Sequence, residues 1–308
     1  MRRVRFAISI PQFYGDGEFD PVAFRNYCAA VEQLGYDSAW AQESVLSASA
    51  QLSAIETMTY AAACTQRLRL GCAVFVSTLH SPVRLARSMA TLDQLSGGRL
   101  DVGIGTGGRQ RPFAAFGLTS DRYVARFTEG LAVMKALWTQ QRVTFDGEFW
   151  QLNDAAMEPK PLQKPHPPVW IGATGEPALR RAVRLGDGFF GSGSSSTDRF
   201  ADQVRVVRAA LADADRDPAG FPVAKRLYVG VDDNAGRARE RVNAALGRIY
   251  GRAVPEIEAA AAAGPPSDCA AEVARVAAAG AELILFTTLF DPAEQAARLA
   301  DEVIPLVS

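Results

Sequence analysis

Short apolar runs alternate along this chain with longer segments whose apolar residues recur every three or four positions. The run Arg5–Ile10 alternates little between apolar and polar residues, which is typical of a strand buried on both faces. The next segment, Pro21–Leu34, carries its apolar residues on one helical face and is followed by Gly35, a residue that often ends helices. This succession of buried strand and amphipathic helix recurs along most of the chain, and it predicts parallel strands connected by helices.

The same pattern predicts further strands and helices. The strands after the first are Tyr36–Ala41, Leu68–Val76, Leu100–Ile104, Val169–Gly172, Gly188–Phe190, Leu227–Val231 and Leu283–Phe286. The helices after the first are Ala54–Thr65, Pro82–Leu95, Tyr123–Trp138, Pro177–Leu185, Arg199–Ala212, Ala235–Tyr250, Cys269–Ala279 and Pro292–Val303, with an Ala-rich helical stretch before Cys269.

About eight strands, each followed by a helix, predict an α/β fold of one domain over residues 1–308, a (β/α)8 barrel. A doubly wound sheet is the competing architecture, because Gly103-x-Gly105-x-Gly107 resembles part of a dinucleotide-binding fingerprint. Those glycines do not complete the GxGxxG pattern, and they follow the fourth strand and not the first. The barrel is therefore the more economical prediction.

One segment interrupts the alternation of strands and helices. Val143–Leu152 is rich in aromatic and β-branched residues and has Asp146-Gly147 at its centre, a signal for a two-residue hairpin turn. Pro159–Pro168 follows with five prolines, a composition typical of an extended linker. We expect a small antiparallel hairpin inserted into the barrel.

Composition narrows the function classes. The net charge of −1 provides no basic field for nucleic acid or an anionic membrane, so neither partner is expected. No run approaches the roughly 18 apolar residues of a membrane span. Four cysteines, Cys28, Cys64, Cys72 and Cys269, lack metal-ligand spacing, and no metal is expected. Unpaired buried thiols fit a reducing cytoplasm.

Small residues follow three of the predicted strands, at the end of the barrel where ligands bind. Thr106, Gly107 and Gly108 follow the fourth strand, and glycines there let a ligand approach the backbone. The loop Ala173, Thr174 and Gly175 precedes a helix, whose free N–H groups favour an anion. Ser192 and Gly193 lie in a second small-residue loop. These loops are candidate cofactor-binding segments, and the alternatives are a simple helix cap and an exposed loop.

Three segments together resemble the bacterial luciferase-like flavin oxidoreductases. They are Leu34–Trp40, the block from Ser81-Pro82 to Gly107, and Trp170-Ile171-Gly172 continuing to Leu185-Gly186-Asp187-Gly188. The spacer Phe145–Trp150, Lys160-Pro161 and Pro167-Pro168 agree with the same pattern. The resemblance covers roughly residues 4–195 and implies a TIM barrel that binds either FMN or the deazaflavin coenzyme F420.

The residue after Gly105 favours one of these cofactors. FMN enzymes of this family often carry an arginine there for the FMN phosphate, whereas this chain has Thr106, as in the deazaflavin branch. Loss of the guanidinium removes a bidentate phosphate clamp. The resemblance therefore implies an F420-dependent oxidoreductase that transfers a hydride to or from a small-molecule substrate. The alternatives are an FMN-dependent monooxygenase with a flavin reductase partner, and a non-catalytic flavin-binding or carrier protein.

The resemblance also implies site residues. In the family the third strand has a bulge with a non-proline cis peptide behind the flavin ring, which maps to Ala73-Val74. Many relatives have an acidic residue and then histidine after the second strand, but here Glu43 is followed by Ser44, which cannot supply acid–base chemistry. Glu43 is thus the candidate for catalysis and for orienting the cofactor, Ser44 is a candidate for cofactor binding alone, and His80 is the second catalytic candidate.

The sequence also offers candidates for substrate binding and for assembly. Phe13, after the first strand, and Arg109, after the fourth, are candidates for binding an apolar or anionic substrate, and loop packing is the alternative. Family members commonly pair through helices on one side of the barrel. The predicted helices Ala54–Thr65 and Val83–Leu95 expose small and apolar residues, so a homodimer is expected.

Overall fold

Parallel strands close into a barrel in the computed structural model, which describes residues 4–14, 18–44, 46, 50–107 and 112–307. The strands are β1 (Arg5–Ser9), β2 (Ser38–Ala41), β3 (Arg69–Cys72), β4 (Phe75–Val76), β5 (Leu100–Gly105), β6 (Val143–Asp146), β7 (Gln151–Ala155), β8 (Val169–Gly172), β9 (Gly188–Gly191), β10 (Val223–Val231), β11 (Ala262–Gly264) and β12 (Leu283–Thr288). The ring runs β1-β2-β3-β5-β8-β9-β10-β12 and closes because β1 pairs with β12 as well as with β2. The predicted eight-stranded TIM barrel is confirmed, and the doubly wound alternative is wrong because its sheet would have two open edges.

Helices surround the barrel on its outer face. They are α1 (Pro21–Gln33), α2 (Ala54–Cys64), α3 (Pro82–Leu95), α4 (Tyr123–Thr139), α5 (Glu176–Leu185), α6 (Thr197–Asp213), α7 (Ala235–Tyr250), α8 (Pro255–Ala259), α9 (Pro266–Ala278) and α10 (Pro292–Arg298). Local sequence sets their starts: the Asp20 carboxylate accepts from the N–H groups of Val22 and Ala23, and the Ser81 hydroxyl caps α3. Within the described ranges, no helix has the length and apolar character needed to cross a bilayer.

Aromatic side chains fill the barrel interior. Trp40, Trp170 and Phe190 meet there, with ring centroids 4.8 Å apart for Trp40 and Phe190 and 6.1 Å apart for the two tryptophans. Glycines on the neighbouring strands make room for these rings, since a Cβ at Gly188 would lie 2.7 Å from the Trp170 ring. These rings make the interior a packed core and not a pore.

The third strand contains one residue more than its neighbour. Leu70 pairs with Leu100, but Phe75 pairs with Ile104, so the chain between them bulges by one residue. The predicted continuous strand Leu68–Val76 is wrong for this reason, and it is divided into β3 and β4. The bulge contains a cis peptide bond between Ala73 and Val74, which confirms that prediction.

The inserted hairpin has a different turn from the predicted one. Asp146 pairs with Gln151, so residues 147–150 form a four-residue loop, and the predicted two-residue turn at Asp146-Gly147 is wrong. A distant side chain selects this loop: the Glu129 carboxylate accepts from the N–H groups of residues 148, 149 and 150 at 3.1, 2.8 and 2.9 Å. These bonds from α4 replace the local turn preference of Asp-Gly.

The C-terminal third contains a strand that the sequence did not indicate. Part of the Ala-rich stretch predicted to be helical is β11, which pairs with Val229–Val231 of β10 outside the barrel ring. Strand β10 also begins at Val223, four residues before the predicted start. Alanine by itself favours a helix, so pairing with the edge of β10 overrides the local preference of this stretch.

Candidate functional site

A cavity of about 560 Å³ opens at the carboxyl ends of the barrel strands. We call it the main cavity. Its wall includes the β3–β4 bulge and the ends of β5, β8, β9 and β10. Its volume lies in the range of about 300–1,000 Å³ that small-molecule and cofactor sites occupy. Active sites of TIM barrels form at this end because the loops after all eight strands converge there.

Glu43 and His80 are brought together beside this cavity. Glu43 follows β2, and its side chain is 9% exposed. Its Oε2 accepts from the backbone N–H of Val76 at 2.6 Å, and its Oε1 is 2.8 Å from Nε2 of His80. Glu43 lines the cavity, whereas His80 does not and contacts the cavity wall at that carboxyl group. The pair can hold one proton between two titratable groups at the cavity wall.

Most of the other predicted cofactor residues also line the main cavity. These are Ala73, Val74, Thr106, Gly107, Ala173, Thr174, Ser192 and Gly193. Two predicted residues, Ser44 and Gly175, are not part of its wall. Gly108 and Arg109 lie outside the described residues. Phe13 lines a second cavity, described below.

Glycines keep the floor of the cavity open because they have no side chains. A Cβ at Gly105 would lie 2.9 Å from Cγ2 of Val74, and one at Gly172 would lie 3.2 Å from Cγ1 of the same residue. A Cβ at Gly193 would lie 2.8 Å from the Tyr228 ring. The backbone at these positions therefore borders the cavity directly, which suits a planar ligand that packs against peptide groups.

Two arginines in the wall were missed by sequence reasoning. Arg181, on α5, forms no hydrogen bond or ion pair with a described residue, and burial lowers its pKa from the ordinary arginine value. Arg226, on β10, donates from Nε to Thr287 Oγ1 at 3.0 Å and from Nη2 to Gln42 Oε1 at 2.5 Å. The spacing of Arg226 and Tyr228 was the available signal, since residues two apart on a strand share a face.

Lys225 lies on the opposite side of β10, beneath the loop after β9. Its ammonium donates to the backbone oxygens of Ser192, Ser195 and Arg226 at 2.6, 2.9 and 2.8 Å. Its side chain is almost completely buried, and burial lowers its pKa to about 7, with a further contribution from the charge of Arg226. Lys225 thus holds the loop that carries Ser192 and Gly193 against the barrel.

This environment makes stability depend on pH through Lys225. Between about pH 7 and the ordinary lysine pKa near 10.4, the unfolded chain binds a proton that the folded protein does not. The free energy of unfolding is therefore expected to rise with pH over this interval. Urea unfolding at several pH values should show the rise in the native protein and in Lys164→Met, which removes an exposed lysine, but a smaller rise in Lys225→Met. Equal slopes in all three proteins would contradict it.

A second cavity of about 320 Å³ adjoins the main one. Its wall comes from the segments after β1 and β12 and from the end of α7. Gln42, Arg226 and Ile249 line both cavities. The hydrogen-bonded pair of Arg226 and Gln42 therefore lies at the boundary between two connected compartments, one of them larger and the other lined largely by apolar side chains.

The sequence of this chain also matches a known protein family. A model of the luciferase-like monooxygenase family matches residues 4–283. Over 233 residues the chain is 31% identical to an F420-dependent glucose-6-phosphate dehydrogenase from Beutenbergia cavernae, and the match covers 72% of this chain and 68% of that protein. Over 197 residues it is 32% identical to an FMNH2-dependent dimethylsulfone monooxygenase from Pseudomonas putida, covering 63% and 52%. The matches with several curated relatives span only about half of those relatives' length.

The fold has a close counterpart among solved structures. An F420-dependent secondary alcohol dehydrogenase, solved with an F420-acetone adduct, superimposes with a TM-score of 0.86 over 99% of both chains. The two sequences are 19% identical, so this likeness concerns the fold alone.

Proposed function

This chain belongs to the luciferase-like monooxygenase family, and on that premise we propose that it is an F420-dependent oxidoreductase. It binds the deazaflavin in the main cavity and transfers a hydride between this cofactor and a small organic substrate. The observation that carries the proposal is the half-buried pair of Glu43 and His80, joined at 2.8 Å, whose carboxyl group lines a cavity of cofactor size. A titratable pair at that position suits a reaction in which a proton accompanies a hydride.

The residues at the cavity wall have distinct roles in this proposal. When bound, the deazaflavin supplies or accepts two electrons as a hydride. These residues line the main cavity, where Ala73 and Val74 would hold its ring system and the loops containing Thr106, Thr174 and Gly193 would hold its phosphate-bearing tail. Backbone N–H groups of such loops bind phosphate oxygens without a guanidinium clamp.

Glu43 is the proton-handling residue of the proposal. Its carboxyl group exchanges a proton with substrate at the cavity wall, and Nε2 of His80 is hydrogen-bonded to Oε1 of that group. The hydrogen bond from Val76 N–H to Oε2 keeps the carboxyl group from rotating. His80 is thus a positioning residue in this proposal, because it contacts Glu43 and does not line the cavity.

Cofactor choice is tested by titration of the purified protein. We expect tighter binding of F420 than of FMN, because Thr106 lacks the cation that FMN enzymes of this family often have there. Thr106→Arg should raise FMN affinity by about tenfold, the effect of one charge-assisted pair, whereas Thr106→Ser should leave it unchanged. Micromolar FMN affinity without detectable F420 binding would reverse the assignment.

An FMN-dependent monooxygenase is the second candidate. It is supported by the 32% identity to the FMNH2-dependent relative, and it would require a flavin reductase partner. The absorption spectrum of the holoprotein distinguishes the two cofactors. Turnover of reduced F420 with a test acceptor distinguishes an enzyme from a carrier protein, because a carrier would bind the cofactor without consuming it.

Assembly as a homodimer is also part of the proposal. Helix α3 presents Val83 and Leu95 to solvent, exposed by 36% and 63%, beside the outer face of α2. An interface there should bury on the order of 2,000 Å², as obligate dimers do. Light scattering should give twice the chain mass, and Leu95→Glu should shift the protein toward monomer. A wild-type monomer at working concentration would refute this prediction.

A further inference from the structure

The second cavity combines an apolar wall with positive charge that the described residues do not balance. Its larger apolar side chains are Ile10, Phe13, Trp40, Ile249, Leu289 and Phe290. Its only described carboxylate is that of Asp291. This carboxylate accepts from Nη2 of Arg241 at 2.5 Å, and the Arg241 guanidinium also lies 3.8 Å from the centroid of the Phe290 ring. Asp291 is therefore already neutralised from outside the cavity.

The two arginines of the wall have no such counter-ion. Arg248, near the end of α7, forms no hydrogen bond or ion pair with a described residue. Arg226, at the boundary with the main cavity, donates its hydrogen bonds only to the neutral oxygens of Thr287 and Gln42 among the described residues. An arginine side chain stays protonated at any working pH. Arg248 is exposed to solvent, whereas Arg226 is half-buried at the boundary with the main cavity, so the charge of Arg226 is the one that an anionic ligand can neutralise.

We infer that the second cavity binds an organic anion with an apolar body, of the class of medium-chain or aryl carboxylates. Its carboxylate pairs with Arg226, and its body packs against Phe13 and Phe290. The inference rests on the proposed function in one respect, the orientation of the anion. Because Arg226 also lines the main cavity, the atoms next to the carboxylate lie on the side where the cofactor would bind.

The geometry of Arg226 supports this role. Its Nε and Nη2 bonds hold the guanidinium plane, and Nη1 has no partner among the described residues. A fixed guanidinium with a free nitrogen offers a carboxylate a charge-assisted hydrogen bond with little loss of side-chain freedom. A neutral ligand of the same shape would fill the apolar chamber but leave the charge unpaired, so the site should discriminate by charge.

Calorimetric titration of the cofactor-free protein tests the inference with octanoate and 1-octanol. We expect octanoate to bind at least about tenfold more tightly than the alcohol. Arg226→Gln should abolish this difference, and Arg226→Lys, which keeps the charge without the fork, should keep part of it. Arg181→Gln is the matched control, because it removes the unpaired arginine of the other cavity and should leave octanoate binding unchanged.

F420 and FMN binding is measured for the same proteins, which separates this inference from the proposed function. Cofactor binding by Arg226→Gln confirms that the variant is folded. Equal affinity for octanoate and octanol in the wild type, or loss of octanoate binding in Arg181→Gln and not in Arg226→Gln, would overturn the inference while cofactor binding persists. If the wild type binds neither cofactor but retains Arg226-dependent octanoate binding, the proposed function fails and the anion site stands.

Discussion

Replacement of Glu43 by glutamine is expected to lower turnover by ~10²-fold or more while cofactor affinity changes little. Glutamine keeps the size of the side chain and an oxygen that accepts from Val76 N–H, but it cannot take up or release a proton. Because Glu43 lines the main cavity, its carboxyl group can contact a ligand bound there. Single-turnover kinetics together with cofactor titration measure the two effects separately.

Two further variants make this result specific. Glu43→Asp retains a titratable group and should keep more activity than Glu43→Gln. His80→Gln should change the pH profile of turnover more than its maximum, since His80 acts through the 2.8 Å contact with Glu43. If Glu43→Gln weakens cofactor binding and leaves the chemical step intact, Glu43 orients the ring and transfers no proton. Unchanged affinity and unchanged turnover would eliminate both roles.

Replacement of Gly103 by alanine is expected to destabilise the barrel strongly. A Cβ at this position in β5 would overlap the backbone carbonyl of Cys72 on β3, which is not a flexible neighbour. Relief requires the two strands to separate beside the bulge, so we expect a loss of about 3 kcal/mol or more in the free energy of unfolding. For a chain of this size, that loss lowers the melting temperature by roughly 5 °C or more.

Gly247→Ala is the control for this prediction. Gly247 lies in α7, and a Cβ there has no heavy atom within 4 Å. Alanine should raise stability by up to about 1 kcal/mol because it favours the helix. Differential scanning calorimetry of both variants gives the comparison. A Gly103→Ala protein that melts with the wild type would show that β3 and β5 separate at no cost.

Local sequence patterns were enough to predict most of the strands and helices and the end of the barrel that carries the site. Buried strands show as unbroken apolar runs, and amphipathic helices as apolar residues on one face, so both are properties of neighbours in the chain. Parallel strands all point the same way, so residues just after them must share one end of the barrel. That is why the order of the residues alone assigns Thr106 and Thr174 to one site, with the family resemblance identifying Glu43 and the bulge at Ala73-Val74.

The remaining features of the fold and of the two cavities depend on closure of the barrel, because closure brings together residues that are far apart in the chain. The partners of Arg226 are Gln42 and Thr287, 184 and 61 residues away, and no local pattern connects them. The turn at residues 147–150 is set by Glu129 on α4, and β11 forms because the edge of β10 lies beside it. Contacts such as these depend on distances across the fold, which hydrophobic periodicity does not encode, and they determine the charge and shape of both cavities.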